Sequence, residues 1–176
     1  ELQLIADHRI TLAHNPASNM KLSSGAFDWA RVRERDIPVM LAPDGVASNN
    51  NLDMFDEMKL AALMQKHTFS DPIRLSAHDV IRMASGGFSD VFSRWGVGGG
   101  LHVGAPADIA LVNLEEPQMT PVHNIESNLA YAANGSMVDT VICGGEVLME
   151  RRVVADTPEV LDEARRRATS LVARAA

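Results

Sequence analysis

Apolar and polar positions follow two different rhythms along this chain, and the change falls near residue 104. In the first portion, short apolar runs give way to stretches with helical spacing. The apolar residues after Glu1 read as strand-like. Arg9 to Ala13 is a β-prone stretch that ends at His14-Asn15-Pro16, where the proline and the following Ser18-Asn19 signal a loop. Gly25 to Arg35 sets Phe27, Ala30 and Val32 among charges and predicts a short amphipathic helix. Pro38 to Leu41 predicts a second strand, closed by the turn signal Pro43-Asp44-Gly45. Leu52 to His67 places Phe55, Met58, Ala62 and Leu63 on one helical face, with Asn49 to Asn51 available as caps. Met54, Met58 and Met64 fall at helical spacing and read as core packing. A further helix is predicted from Ser76 to about Ser93, with Ser76 as cap and Asp79 three residues on. Strand, loop and helix thus occur twice in succession, the pattern of an α/β fold with a parallel sheet.

Beyond the glycine-rich loop Trp95 to Gly104 the alternation stops. Ile109 to Leu114 and Val138 to Cys143 are apolar strands, and Gly144-Gly145 turns the chain into Glu146 to Val154. Consecutive strands without intervening helices predict a small β subdomain. Pro158 then opens a last amphipathic helix, with Val160, Leu161, Ala164, Ala168, Leu171 and Val172 on its apolar side. The expected division is residues 1–104 and residues 105–176.

Composition narrows the classes. Hydrophobic residues are 46% and charged residues 22%, ordinary for a soluble globular chain. The net charge of −7 makes a nucleic-acid backbone an unfavourable partner. The one basic run, Arg165, Arg166 and Arg167, sits beside Asp162 and Glu163 and reads as a solvated helix face. No apolar run approaches the roughly 18 residues needed to span a bilayer, and no membrane partner is expected. Cys143 is the single cysteine, which excludes an internal disulfide and suits a reducing compartment, so the expected location is the cytoplasm. The chain begins at Glu1 rather than methionine, and the expectation is a segment of a larger protein.

Candidate chemistry concentrates in His14-Asn15-Pro16-Ala17-Ser18-Asn19-Met20-Lys21-Leu22 and Asp44-Gly45-Val46-Ala47-Ser48-Asn49-Asn50. Each starts with a polar side chain at the carboxyl end of a predicted parallel strand, the rim at which β/α barrels assemble their sites. From that position alone Asp44 either reaches a metal-bound water or caps a turn. Gly96-Val97-Gly98-Gly99-Gly100-Leu101 begins like a dinucleotide fingerprint, but it ends on leucine and follows a helix rather than a strand.

These two segments, with Ala105-Pro106-Ala107-Asp108-Ile109-Ala110-Leu111-Val112 and Pro121-Val122-His123-Asn124-Ile125-Glu126-Ser127-Asn128-Leu129, resemble the amidohydrolase superfamily over nearly the whole chain. The nearest branch holds the atrazine-type chlorohydrolases and the methylthioadenosine/S-adenosylhomocysteine deaminases. The resemblance implies the carboxyl-terminal portion of a (β/α)8 barrel plus part of a small β-sandwich subdomain. It implies one divalent metal, zinc or iron, and hydrolytic deamination or dechlorination of a nitrogen heterocycle such as a purine nucleoside, pyrimidine or s-triazine. By the same resemblance Asp44 would be the last-strand metal ligand and the group that takes a proton from the attacking water. Ser48 would hydrogen-bond the substrate ring, His14 and Asn15 would line the pocket, and Asn19 would brace that loop. The chain departs from the family's Gly-Thr before that aspartate, having Ala42-Pro43, where proline removes an amide donor.

The family's His-x-His pair is absent from the six histidines His8, His14, His67, His78, His102 and His123. His67, His78 and His123 read as solvent-facing or structural. Two expectations follow. Either the chain is one part of a deaminase, completed by the missing half of the barrel or a partner chain and assembled as a homo-oligomer, or it is an inactive barrel fragment that binds or supports. The open strand edges of a partial barrel favour the first.

Overall fold

A computed structural model describes residues 1–86, 92, 97 and 100–175. The first strand, β1 (Leu12–His14), pairs in parallel with β2 (Val39–Leu41), in the register Leu12 to Val39, Ala13 to Met40 and His14 to Leu41. Between them lie two short helices, α2 (Pro16–Lys21) and α3 (Trp29–Arg33). After β2 come α4 (Met54–Phe69) and α5 (Ala77–Ser85). The parallel α/β order expected for the first portion is the order found.

Three local readings change. The residues after Glu1 form a helix, α1 (Leu2–Asp7), because Leu2, Ile5 and Ala6 recur at helical spacing and pack at the edge of the core. His14-Asn15-Pro16 leads directly into α2 rather than a loop; proline at the first helical position has no amide to lose and a φ already suited to the helix. The cap of α4 is Asp53, which accepts from the Phe55 amide at 2.9 Å, rather than Asn49 to Asn51. Ser76 and Asp79 form the expected reciprocal capping box on α5. That helix ends at Ser85; most of the expected continuation toward Ser93, and residues 95, 96, 98 and 99 of the Trp95–Gly104 loop, lie outside the described residues.

The buried face of α4 also differs. Glu57, Met58, Ala61, Ala62 and Gln65 are buried, while Leu63 is 45% exposed. The face includes two polar residues because each meets backbone donors from α2 and α3, which the apolar spacing alone does not reveal. Around it gather Val32, Val39, Leu41, Leu75, Val80 and Met83. Burying each such side chain is worth about 1.5–3 kcal/mol, so this cluster anchors β2 and the helices behind it. Helix α6 (Ile125–Tyr131), capped by Asn124, packs on α4 and α5 and contributes Ala130 to the same core.

The second sheet is antiparallel, in the order β3 (Ile109–Val112), β4 (Val138–Cys143), β5 (Glu146–Glu150), β6 (Val153–Val154). A smaller core of Met119, Ala133 and Met137 joins it to the first portion through Phe55. The final helix, α7 (Thr157–Ala175), forms as its spacing predicts. Its apolar side is uncovered, however: Val160, Leu161, Leu171 and Val172 all face solvent. No helix of the described residues is long and apolar enough to cross a membrane.

Candidate functional site

The site lies where β1 and β2 end side by side. The last rung of their ladder is the Ala42 amide donating to the His14 carbonyl at 3.0 Å. Pro43 follows that rung, so its missing amide costs the ladder nothing. The proline carbonyl is used: the Asn49 side-chain amide donates to it at 2.8 Å.

Asp44 comes next, with φ of 62°, a left-handed conformation uncommon for a residue bearing a Cβ and tolerated by aspartate better than most. Its carboxylate is exposed and surrounded by donors. The Ser18 hydroxyl donates to Oδ2 at 2.7 Å and the Ser48 hydroxyl at 2.6 Å, while the Gly45 amide donates to Oδ1 at 2.8 Å. These bonds, that from Ser18 foremost, hold the Asp44 carboxyl below the usual carboxylate range, so it is ionised at neutral pH. Oδ2 thus accepts two hydroxyls, and Oδ1 accepts one amide.

Asp44 and Ser48 are therefore directly bonded. The serine donates its only hydrogen toward the carboxylate and the Gly45 carbonyl, leaving its oxygen lone pairs as the free capacity. His14 ends β1 and is buried, 2% exposed. Its ring stacks on Phe27, with centroids 4.4 Å apart and planes 20° from parallel, and its Nε2 has no hydrogen-bond partner among the described residues. Burial lowers its pKa to about 4, so the ring is neutral at pH 7. Asn15 is the residue before α2, but its side chain does not cap the helix, and its Oδ1 is likewise buried, with no partner among the described residues. Asn19 lies within α2, and its carbonyl accepts the Ser24 amide at 2.9 Å, closing the turn after the helix. His67 and His123 are exposed, and His78 pairs with Glu126 on the surface at 2.8 Å.

Three contributors were not legible in the sequence. Ser18 reads there as a strand stop, yet it is 3% exposed and bonded to a carboxylate 26 residues away. Glu57 is 1% exposed on α4 and accepts from the Ala17 amide at 3.1 Å and the Asn49 side chain at 2.7 Å. Burial pushes its carboxyl up, opposed by those two bonds. Lys21 spans from α2 to Asn50 Oδ1 at 2.6 Å and the Ala47 carbonyl at 3.3 Å.

By itself the donor set is too small for a metal ion. Asp44 offers one hard carboxylate, and among the described residues no group of three His, Cys, Asp or Glu comes together that could hold a metal ion. Catalytic zinc sites take three protein ligands, so the described residues do not by themselves fit one.

Against known proteins, the profile described as the amidohydrolase family matches residues 1–148. The chain is 42% identical to the 5'-deoxyadenosine deaminase of Methanospirillum hungatei over 99% of its own length and 39% of that protein. It is 45% identical to the 5-methylthioadenosine/S-adenosylhomocysteine deaminase of Thermococcus onnurineus over 85% of its own length and 35% of that protein. Among solved structures, an adenosine deaminase from Xanthomonas campestris with bound zinc superposes with a TM-score of 0.88 at 31% identity, covering 94% of this chain and 38% of that one. The zinc-complexed atrazine chlorohydrolase of Arthrobacter aurescens gives 0.79 at 28% identity, covering 98% and 38%. The chain thus spans about two fifths of the length of these relatives.

Proposed function

We propose that this chain, which belongs to the amidohydrolase family, contributes the last two strand–helix units of a (β/α)8 barrel to an enzyme that hydrolytically deaminates an adenosine derivative. The printed activities of the relatives support a purine nucleoside altered at its 5' position, with loss of the ring amine as ammonia. The antiparallel sheet would be this chain's share of a β-sandwich subdomain. The observation that carries the reading is the ionised Asp44 carboxylate at the end of β2, held by three donors beside the buried end of β1.

In this reading a divalent metal, zinc or iron, would count Asp44 as one ligand, take the others from the rest of the barrel, and when bound make water more acidic. Asp44 would be the group that takes a proton from the attacking water, its carboxylate held in place by the Ser18 and Ser48 hydroxyls and the Gly45 amide. Ser48 offers its lone pairs to a donor on the substrate ring. His14, neutral and packed on Phe27, and Asn15 give the pocket an uncharged wall suited to a neutral purine. The open outer edges of the two-stranded sheet and the uncovered side of α7 support assembly with the remainder of the barrel and into a homo-oligomer. Exposed, unpaired Cys143 suits a reducing cytoplasm.

The test is release by the full-length protein of ammonia from 5'-deoxyadenosine, methylthioadenosine and S-adenosylhomocysteine, and of chloride from atrazine. Turnover of one or more of the nucleosides supports the reading. Turnover of atrazine alone moves it to dechlorination, and turnover of none overturns it.

A further inference from the structure

The hydrogen bonds at the ends of β1 and β2 close into a ring that passes through Glu57. One leg runs from its Oε2 to the Ala17 amide at 3.1 Å, along α2 to Ser18, and from the Ser18 hydroxyl to Asp44 Oδ2 at 2.7 Å. The other runs from Oε1 to the Asn49 side-chain amide at 2.7 Å, and from that amide to the carbonyl of Pro43, the residue before Asp44, at 2.8 Å. The two legs leave different oxygens of one carboxylate and meet again at the same aspartate.

Glu57 is well suited to hold such a ring. It sits in the first turn of the 16-residue helix α4, flanked on the same face by the fully buried Ala61 and Ala62, so its position is set by the main core rather than by a loop. Both groups it accepts from are donors only, which an ionised carboxylate satisfies and an amide cannot. It also does for α2 what Asn15 does not, satisfying one of the amides that a helix N-terminus leaves unpaired.

We propose that Glu57 is a positioning residue that locks the β1 and β2 loops together and so fixes the Asp44 carboxylate. This role rests on the deaminase reading, in which Asp44 touches the reacting water; Glu57 touches neither water nor substrate.

The experiment compares the full-length protein with Glu57→Gln, which keeps the shape but turns one acceptor into a donor facing a donor. Two readouts are taken together: kcat and KM per folded molecule with the best nucleoside, and amide hydrogen exchange. Positioning predicts that kcat falls roughly tenfold to a hundredfold, as for displaced catalytic groups, with KM little changed. It also predicts faster exchange at the amides of Ala17 and Asn49 while Ala61 and Val80, in the core, keep their protection. Uniformly faster exchange, or unchanged exchange at Asn49, overturns the proposal, as does an unchanged kcat. Should Glu57→Gln not fold, Asn49→Ala breaks the other leg and is judged by the same criteria, with the residue 49 amide still observable. A wild-type protein that deaminates nothing sinks the deaminase reading instead, and the exchange pattern alone then decides whether Glu57 locks the loops.

Discussion

The hydroxyl of Ser18 lies 2.7 Å from Oδ2 of Asp44, joining the first turn of a helix after one strand to the exposed end of the next strand. The helix brings a buried hydroxyl, and the strand brings a carboxylate in a left-handed conformation. The bond joins the two rim segments beside the Lys21 bonds to Asn50 and Ala47, and it sets an order among the serines around Asp44.

Ser18 and Ser48 both donate to Oδ2, but Ser18 is buried and Ser48 half-buried, and Ser48 is the one proposed to meet a substrate. Ser18→Ala is expected to lower kcat of the full-length protein by about tenfold, with KM retained, since it disturbs only the aim of the carboxylate. Ser48→Ala is expected to raise KM as well. Steady-state kinetics on the two variants check this, and a KM effect confined to Ser18→Ala would reverse the assignment.

His14 gives the fold a dependence on acid. The unfolded chain binds a proton there below about pH 6.5, whereas the folded chain does so only near pH 4. Its contribution is therefore complete above pH 6.5 and is lost as pH falls through that window, by on the order of 3 kcal/mol. Glu57, its carboxyl raised by burial, acts oppositely: it favours the folded state most at low pH and weakens it as pH rises above the ordinary glutamate range. Denaturant unfolding from pH 7 to pH 4, with His14→Gln as the comparison, should show a shallower pH dependence in the variant. A His14 ring that titrates by NMR near 6.5 contradicts the account.

Gln65 tests the polar side of the buried helix face. It is fully buried, accepts the Trp29 amide at 3.1 Å and donates to the carbonyl of Phe27, the ring stacked on His14. Gln65→Leu makes the face of α4 uniformly apolar, as the helical pattern would favour, but leaves two backbone groups unpaired at about 1–3 kcal/mol each. The expected result is a lower unfolding midpoint; an equal or higher midpoint would show that those bonds contribute nothing.

Leu75, 2% exposed and held beside the carbonyls that Lys66 binds at 2.8 Å, is the packing control. Leu75→Ala should cost about 2–5 kcal/mol through the cavity it opens, while leaving KM of the folded molecules unchanged. A change in KM would place Leu75 in contact with the site.

What could be read from the sequence depended on how local its cause was. The box at Ser76 and Asp79 involves residues three apart and is visible as a pattern, as are the strands at Pro38 to Leu41 and Val138 to Cys143. Asp44 is a candidate through its rim position and the family resemblance. The strand-like reading after Glu1 failed because a short apolar run has no period long enough to separate strand from helix. Ser18 and Glu57 were invisible for another reason: their partners lie 26 and 40 residues away, and only the pairing of β1 with β2 and the packing of α4 brings them together. The uncovered stripe of α7 shows the converse, a helix whose spacing forecast a buried face that this chain alone does not bury.

Asp44→Asn tests most directly the proposed role of Asp44 as the proton-accepting carboxylate of a deaminase, because it keeps the size of the side chain and removes its charge. Ammonia release from 5'-deoxyadenosine by the full-length protein and by this variant is the measurement. The account predicts a loss of roughly a hundredfold to ten-thousandfold in kcat, with the variant folded as the wild type is. A folded Asp44→Asn protein that releases ammonia at the wild-type rate would contradict it.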